Sequence, residues 1–475
     1  MRFEKLRVFF ILILLSTSFY SFQFFAIGTY GVKLSDILLI AFYGWLAWRV
    51  ATRGITLSPL LHPITLLLFF PLLAVAFSVV TPIVSLGQGT QFLKTFSHFL
   101  FYYGFFLCVV LLDPRASFAT FFIRVFLIWG FLVSLYGVYQ LPARVFDLPL
   151  GWLPVTNVSV FASRTPDPYK LTKTASQLSL QYSQFFRSTS LFSEPSVLGR
   201  MAATMLLFVL VPYIQKEKPF LPKGWSIAIG ITLVLAIFAS LSLTGVGGVI
   251  VLLVSIVLLE GLRRSRVLFG YLVTMVLVIV IAAKILTPIV QIDILDLYFQ
   301  RISRILKIGT TPFTEHISGE STSTRLKGMQ VSLEVWEEYP VVGIGAGHFY
   351  LSETAQREGF VFSSTMYTAL LSETGVVGFT LFMVFLLGLF FVALQLYYHR
   401  EQWKDAELRR LAGVLPYLVI LYLFFKLSST VYVSLWVDLI FAFRMVMELV
   451  GRTGSVLSVP LLLRIPSLKT VFSGR

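Results

Sequence analysis

Residues 243–260 read LTGVGGVIVLLVSIVLLE, an apolar stretch that meets its first ionisable side chain at Glu260. About 20 residues of this kind form a helix long enough to cross the hydrocarbon core of a bilayer. The strands of a membrane barrel would instead alternate apolar and polar residues, and this stretch does not alternate. The stretch therefore predicts a membrane-spanning α-helix.

Further apolar runs of this kind recur along the 475 residues. The first of them follows Arg2, Lys5 and Arg7 as in a signal peptide, but it is too long for a typical cleavable core, so we interpret it as a retained helix. With 243–260 the runs predict an all-α polytopic membrane protein with about twelve transmembrane helices. The other runs lie at 6–27, 34–50, 60–80, 97–112, 120–140, 196–214, 225–241, 267–287, 364–398, 411–427 and 430–450.

The composition agrees with a membrane protein. Hydrophobic residues make up 57% of the chain and charged residues 13%, and the mean hydropathy is +0.85. A soluble domain carries roughly twice that charged share, so a soluble enzyme, a disordered chain and a fibrous protein are excluded. The single cysteine, Cys108, excludes an intramolecular disulfide and a thiol-based metal cluster.

The excess of basic residues predicts the orientation. There are 38 Lys and Arg against 23 Asp and Glu, a net charge of +15. In a soluble protein this would suggest nucleic acid, but in a membrane protein it indicates the positive-inside bias, so no nucleic-acid partner is expected. With the N-terminus inside, about 20 basic residues fall on inner segments, and the short outer turns carry little beyond Lys33 and Lys94.

This topology divides the chain into six segments. They are transmembrane helices 1–5 in 1–140, an outer loop at 141–195, helices 6–9 in 196–287, a larger outer loop at 288–363, helices 10–12 in 364–450 and an inner tail at 451–475. Loops of this length in a compact protein are usually functional, and a pair of solvated spacers is the alternative.

The larger outer loop contains a predicted amphipathic helix that ends at Pro340. Its first turn carries Arg325, where free backbone N–H groups favour an anion and the guanidinium adds donors. We interpret this as a phosphate clamp, and an interfacial helix whose arginine meets lipid headgroups is the alternative. The apolar stripe recurs at 3-4-3 spacing through Leu326, Met329, Leu333 and Trp336.

The first outer loop ends in RSTSLFSEPSVLGR, residues 187–200. Pro195 suits the first turn of the next span, which places Arg187 and Glu194 at the outer membrane surface. Arg200 lies more than one turn inside, where a cation needs an acidic partner or a polar cavity. Glu194 is its predicted partner, and a purely local ion pair is the alternative.

Two further charges lie near the predicted last spans. Asp438 also needs a partner or a cavity, and we expect Lys426 to reach the interface along its own stem.

Two glycine clusters mark close approach of the backbone. Gly343, Gly345 and Gly347 in VVGIGAGHF predict a tight turn, and no βαβ context supports a dinucleotide loop. His348 follows this turn, and both a structural and a catalytic role stay open for it. The histidines lack metal-ligand spacing, so no metal site is predicted. The second cluster, in LTGVGG at 243–248, predicts close helix packing.

Four blocks, in this order, resemble the O-antigen ligase and O-antigen polymerase superfamily. They are RSTSLFSEPSVLGRMAA (187–203), LSLTGVGGVIVLL (241–253), TRLKGMQVSLEVWEEYPVVGIGAGHF (324–349) and STMYTALLSETGVVGF (364–379). The chain departs from the ligase pattern at two places. Ser364 and Thr365 stand where the ligase block has a His-Asn pair, and Val246 replaces the usual arginine of the glycine-rich span start. The resemblance is therefore to a polymerase rather than to a ligase.

The resemblance implies a metal-independent GT-C glycosyltransferase of polysaccharide and lipopolysaccharide biosynthesis, in the bacterial inner membrane. Such an enzyme transfers a glycan from undecaprenyl pyrophosphate on the periplasmic face, without a cofactor. The acceptor is the hydroxyl of a second lipid-linked glycan in a polymerase, or lipid A core in a ligase. Membrane lipids and a chain-length regulator protein are the further partners expected.

For this chemistry we predict three groups of site residues. Cations that stabilise the pyrophosphate are Arg187, Arg200 and Arg325. The candidate bases for the acceptor hydroxyl are Glu194 first, then His348 and Glu373. Tyr367 is predicted to line the glycan path. The alternative from another class is a lipid-linked oligosaccharide flippase, which would favour an internal repeat and charges across both leaflets.

Overall fold

A computed structural model describes residues 2–20, 22–27, 30–53, 63–110, 117–153, 181–182, 185–261, 265–290, 293–306, 322–429 and 437–453. Parts of both predicted outer loops, at 154–180 and 307–321, lie outside these residues. The predicted inner tail at 451–475 lies outside them from residue 454 onward.

The described residues are mainly helical. The helices are α1 Arg2–Ser16, α2 Leu34–Arg53, α3 Pro63–Leu66, α4 Phe69–Phe77, α5 Val80–Val84, α6 Gly89–Val110, α7 Phe118–Val145, α8 Pro195–Ile214, α9 Lys223–Ala239, α10 Leu243–Glu260, α11 Ser265–Val290, α12 Ile294–Leu306, α13 Thr322–Glu338, α14 Glu353–Arg357, α15 Met366–Tyr398, α16 Ala406–Phe425 and α17 Val437–Thr453. Two antiparallel hairpins pair β1 Gln23–Ile27 with β2 Tyr30–Lys33, and β3 Gln181–Tyr182 with β4 Phe185–Phe186.

Eight helical segments of the described chain are long and apolar enough to cross a membrane. Three shorter apolar helices occur at Arg7–Phe19, Lys223–Ala239 and Phe269–Ile285. These findings confirm an all-α polytopic membrane protein, and the number of twelve spans stays a prediction. The eight segments are Leu34–Thr52, Ile64–Val84, Gly89–Val109, Phe118–Val145, Pro195–Ile214, Leu243–Glu260, Met366–Tyr398 and Ala406–Ser428.

The first apolar run differs from its prediction as one helix over 6–27. The helix α1 ends at Ser16, a 3-10 turn follows, and Gln23–Ile27 forms β1. The hydroxyl groups of Ser16 and Thr17 donate to the carbonyls of Ile13 and Leu14 in the preceding turn. Such local bonds compete with helix continuation, and apolarity alone does not reveal them.

The helix α8 lies at the centre of the bundle and packs against α7, α9, α10 and α16. Its contact with α10 is backbone to backbone. A β-carbon at Gly245 would lie 2.9 Å from the α-carbon of Gly199, and one at Gly199 would lie 2.8 Å from the β-carbon of Ser242. The predicted role of the LTGVGG cluster in close helix packing is thereby confirmed.

The two long loops meet the same end of the bundle, here called the loop face. It is the end that holds residues 185–194 and 340–365. Three hydrogen bonds tie the loops to it: from the Ser188 N–H to the Ala239 carbonyl at 3.0 Å, between Tyr20 and Ser193 hydroxyls at 2.9 Å, and between the His348 ring and the Gln88 carbonyl at 3.1 Å.

The opposite end of the bundle is tied together by ion pairs and hydrogen bonds, of which those of Glu260 are buried. The Glu260 carboxylate, at the end of α10, lies 2.7 Å from the Gln215 amide, 2.7 Å from the Tyr397 hydroxyl and 3.3 Å from the Arg400 guanidinium. Arg409 pairs with Glu217, and Arg452 pairs with Asp405 and Glu407. These contacts join α8, α10, α15, α16 and α17 at the end opposite the loop face.

We expect Gly245→Ala to lower the melting temperature of the detergent-purified protein, because the added methyl group would push α10 away from Gly199. Gly270→Ala is the matched control, since a β-carbon at Gly270 of α11 would meet nothing within 4 Å. Tryptophan fluorescence during heating measures the melting temperatures of both variants. An unchanged melting temperature for Gly245→Ala would contradict the helix crossing.

Candidate functional site

The structure buries Arg187 at the turn between α9 and α10. The side chain is 3% exposed, and its guanidinium donates to the carbonyls of Ser240 at 3.1 Å and Leu241 at 3.4 Å. Free carbonyls at a helix C-terminus attract a cation, which explains this placement. The observed bonds position the loop, and a pyrophosphate contact of Arg187 stays a prediction.

Two side chains of α7 hold the segment that follows Arg187. The Gln140 amide oxygen accepts from the N–H groups of Thr189 at 3.2 Å and Ser190 at 2.6 Å, and its nitrogen donates to the Ser190 carbonyl at 3.1 Å. Arg144 donates to the Thr189 hydroxyl and to the Arg187 carbonyl. Neither residue is among the predicted site residues, although a Gln and an Arg four residues apart at the end of an apolar run indicate a polar helix face.

Arg200, Lys426 and Asp438 form a charged cluster near the loop face, here called the cation cluster. All three side chains are half-buried. The charges of Arg200 and Asp438 both act on Lys426, and those of Lys426 and Arg200 both act on Asp438. Two cations face one carboxylate, so the cluster keeps a net positive charge.

The glycines of α10 bring the members of the cation cluster together. Gly199 precedes Arg200 and contacts Gly245. A β-carbon at Gly247 would lie 2.7 Å from the Phe424 ring and one at Gly248 would lie 2.5 Å from the Phe425 ring. Because these two phenylalanines end α16 directly before Lys426, the close contacts draw Lys426 toward the start of α8.

Tyrosines border the cation cluster. The Lys426 ammonium lies 4.9 Å from the centre of the Tyr422 ring, which is a favourable cation–π distance. Tyr367 is half-buried at the start of α15, and its hydroxyl donates to the Leu423 carbonyl at 2.8 Å. This contact fixes Tyr367 beside the end of α16, and its role in the glycan path stays a prediction.

Glu194 does not pair with Arg200 as the sequence suggested. It is the N-cap residue of α8, and its carboxylate accepts from the Ser196 hydroxyl at 2.9 Å. Its backbone is extended, with φ of −133° and ψ of 140°, so Glu194 lies outside the helix and Arg200 lies more than one turn inside it. Asp438 supplies the acidic charge that acts within the cluster instead. Glu194 stays half-buried at the loop face.

The predicted tight turn at Gly343–Gly347 is docked into a break in α15. The three glycines have φ of 74°, 107° and 74°, and Gly375 interrupts α15 with φ of 63°. At this break the Ser372 carbonyl accepts from the Ile344 N–H and the Glu373 carbonyl accepts from the Gly345 N–H, each at 2.9 Å. A β-carbon at Gly343 would collide with the backbone of Glu373, and one at Gly375 would collide with the backbone of Val341. The turn therefore fits against the break only because glycine occupies both positions.

His348 and Glu373 lie at the centre of this docking. His348 is 0% exposed, and its two ring nitrogens lie 2.9 Å from the Ala346 carbonyl and 3.1 Å from the Gln88 carbonyl. Glu373 is 1% exposed and accepts from the Gly347 N–H at 2.7 Å. Both side chains therefore hold the turn in place, and their catalytic roles stay predictions.

The helix α13 brings Arg325 toward the start of α15. Its buried residues are Gly328, Val331, Ser332 and Val335, and the Ser332 hydroxyl lies 2.8 Å from the Ser363 hydroxyl. Arg325 is half-buried in the first turn, one turn before Gly328, which packs on Ser364. The predicted apolar stripe does not form this contact, since Leu326 is 39% exposed and Leu333 is 40% exposed.

An ion pair joins α13 to the residues after the glycine turn. The Lys327 ammonium lies 2.8 Å from the Glu358 carboxylate, and this hydrogen bond and charge lower the pKa of Glu358. The pair is exposed, so it contributes little to stability. It does show that α13 and the turn form one unit with the start of α15.

The cation cluster can stabilise an anion in chemical terms. Arginine and lysine bind phosphate oxygens, and partial burial strengthens the attraction because the local dielectric constant is lower than in water. Among the residues that the structure describes, no group of three or more His, Cys, Asp or Glu side chains could hold a metal ion.

A family model described as O-Antigen ligase matches residues 228–383, about a third of the chain. The matched stretch contains the glycine-rich start of α10, the whole of α13, the glycine turn and its docking site on α15. The match confirms the resemblance to the O-antigen ligase and polymerase superfamily. A comparison with curated proteins gave no match.

The family implies a glycosyltransferase-like enzyme with an O-antigen ligase- or polymerase-like function. Its substrates are lipid-linked glycans in a membrane, which agrees with the apolar helices described above. The cation cluster lies entirely outside the matched stretch, since Arg200 precedes it and Lys426 and Asp438 follow it. The sequence pattern singles out Lys426 and Asp438 but does not join them to Arg200.

We expect Glu373→Ala to lower the melting temperature, because the buried Gly347 N–H would lose its acceptor at a cost of about 1–3 kcal/mol. Glu373→Gln keeps an acceptor oxygen and is expected to lower the melting temperature less. Glu337→Ala, on the exposed side of α13, is the control. Equal melting temperatures for the Ala and Gln variants would show that the carboxamide does not replace this bond.

Proposed function

We propose that this protein is an O-antigen-type polysaccharide polymerase. It transfers a glycan from undecaprenyl pyrophosphate to the hydroxyl of an acceptor lipid-linked glycan. The observation that carries the proposal is the cation cluster of Arg200, Lys426 and Asp438, half-buried near the loop face of a chain that matches the family.

In this reaction the bond between the sugar's anomeric carbon and the pyrophosphate oxygen breaks, and a bond to the acceptor oxygen forms. Polyprenyl pyrophosphate leaves with the bonding electron pair, so negative charge grows on it in the transition state. Arg200 and Lys426 stabilise that charge, and Asp438 keeps the two cations together. The reaction in this proposal uses no metal ion and no nucleotide sugar.

The remaining predicted residues receive roles from their surroundings. Arg325, half-buried in the first turn of α13, adds a third cation to the pyrophosphate. Arg187 acts as a positioning residue, because its guanidinium is bonded to the carbonyls of Ser240 and Leu241.

Among the candidate bases, Glu194 is the best placed, since it is half-buried where His348 and Glu373 are fully buried. It takes the proton of the acceptor hydroxyl in the proposed mechanism. His348 and Glu373 hold the glycine turn, and Tyr367 contacts the glycan. Glu194→Gln would then slow transfer, whereas Glu373→Gln would not.

The start of α15 favours a polymerase over a ligase. Thr365 occupies the position of the asparagine in the ligase pair, and its hydroxyl caps α15 by accepting from the Thr368 N–H at 3.1 Å. Ser364 packs against Gly328 of α13. These short side chains support helix packing and cannot supply an imidazole to an acceptor.

The distribution of basic residues supports a periplasmic loop face in the bacterial inner membrane. About 20 basic residues fall on the segments at the other end of the spans. Donor and acceptor glycans would then meet on the periplasmic side, which is where a GT-C glycosyltransferase for lipid-linked glycans works. A chain-length regulator protein is the further partner in this proposal.

We expect Arg200→Gln and Lys426→Gln each to reduce glycan transfer by about 100-fold or more, because each removes a cation from the growing negative charge. Gel analysis of product chain length, with purified protein and lipid-linked repeat units, measures this. Lys284→Gln is the matched control, because Lys284 is an exposed cation near the loop-face end of α11. Full activity of the first two variants would contradict the proposed pyrophosphate site.

With lipid-linked repeat units as the only substrate, we expect the purified protein to form a ladder of longer lipid-linked chains, since a polymerase needs no other acceptor. A product that appears only when lipid A core is added would assign a ligase instead. Movement of the repeat unit across liposomes without a new glycosidic bond would assign a flippase.

A further inference from the structure

Lys33 and Lys94 are the two basic residues in the short turns at the loop face. Most other basic residues of the chain are predicted at the opposite end of the spans. The structure brings Lys33 and Lys94 to one place. Lys33 ends β2 directly before α2, and Lys94 lies in the second turn of α6. The charges of both lysines act on His98, one turn further along α6.

The surroundings of Lys33 form a built polar site. Its ammonium lies 5.3 Å from the centre of the Tyr102 ring, and Tyr102 follows Lys94 and His98 at intervals of four residues on the same face of α6. The Tyr102 hydroxyl donates to Asp36 at 2.6 Å, and the Lys33 N–H donates to the same carboxylate at 3.0 Å. Lys33 is 7% exposed and Lys94 is half-buried.

The charge of this group is not balanced. Asp36 is the acidic residue that acts on Lys33, and Lys94 forms no ion pair with any residue in the described ranges. Burial lowers the pKa of Lys33 despite the nearby carboxylate, because desolvation outweighs the attraction. A bound anion would offset this desolvation and would bridge the two lysines.

The group lies close to the glycine turn. Gln91 and Thr95, on α6, contact Gly347, and the Gly347 N–H is bonded to Glu373 of α15. Lys94 lies on α6 between Gln91 and Thr95, so the lysine group lies near the glycine turn and near α15, the helix that also carries Tyr367. This placement links them to the candidate site without making them part of the cation cluster.

We propose that Lys33 and Lys94, together with His98, form a second anion site that binds the pyrophosphate of the acceptor lipid. The proposal rests on the proposed function, because a polymerase holds two polyprenyl pyrophosphate lipids at the same time, one as donor and one as acceptor. The cation cluster takes the donor, and the lysine site takes the acceptor. The same chemistry would also bind the phosphate of an ordinary anionic phospholipid.

Native mass spectrometry with undecaprenyl pyrophosphate that carries no glycan distinguishes these sources. We expect two lipids bound to the full-length protein and one bound to the Lys33→Gln/Lys94→Gln double variant, with phosphatidylglycerol unable to displace either. The Lys284→Gln variant, as the control, is expected to bind two lipids. Two lipids on the double variant, or displacement of the second lipid by phosphatidylglycerol, would overturn the proposal.

Kinetics provide an independent readout. We expect Lys94→Gln to raise the KM for the acceptor about tenfold or more, the loss expected for one charge-assisted contact, while kcat changes little. Lys33→Arg keeps the charge and is expected to preserve binding, which controls for misfolding. An unchanged acceptor KM in Lys94→Gln would overturn the site. A wild-type protein that binds two lipids but transfers no glycan would instead refute the proposed function alone.

Discussion

The contact between Gly199 on α8 and Gly245 on α10 determines where the charges of the candidate site lie. Neither helix has a side chain at this point, so the backbones touch and the next glycines of α10 receive the two phenylalanines that end α16. Arg200 and Lys426 are the residues that directly follow these contacts. Helix packing through glycines, which in a bilayer replaces the hydrophobic effect as the source of close association, thus also concentrates positive charge.

A second constraint holds the described parts of the two long loops against the bundle. The glycine turn fits into the break of α15 through backbone hydrogen bonds, and Glu373 satisfies the buried Gly347 N–H. On the other side of the bundle, Arg187 and Gln140 satisfy backbone groups of the first loop and of the α9 end. Buried backbone groups need such partners, so several polar side chains near the site have a structural role.

Much of the fold could be predicted from the sequence, because the length and apolarity of a span are local properties. Short motifs also predict Pro195 in the first turn of α8, the close packing of the LTGVGG cluster and the glycine turn. The partner of Arg200 was not, since Asp438 is far away in the chain and only helix packing brings it near. The buried face of α13 also differs from the predicted stripe, because Gly328 packs on Ser364 while Val331 and Val335 pack against Ile344 and Phe349 around the glycine turn.

The two ends of the bundle differ in a way that favours an enzyme over a transporter. The end opposite the loop face is tied by Glu260, which binds partners from α8, α15 and α16, and by the pairs of Arg409 and Arg452. A transporter that alternates between two open states would have to break the buried pair of Glu260 with Arg400 in every cycle, and breaking a buried ion pair is costly. The loop face instead presents the half-buried cations Arg200, Arg325 and Lys426. Among the residues that the structure describes, these cations give the loop face a binding surface for anions, which agrees with the proposal that both substrates are lipids of the same leaflet.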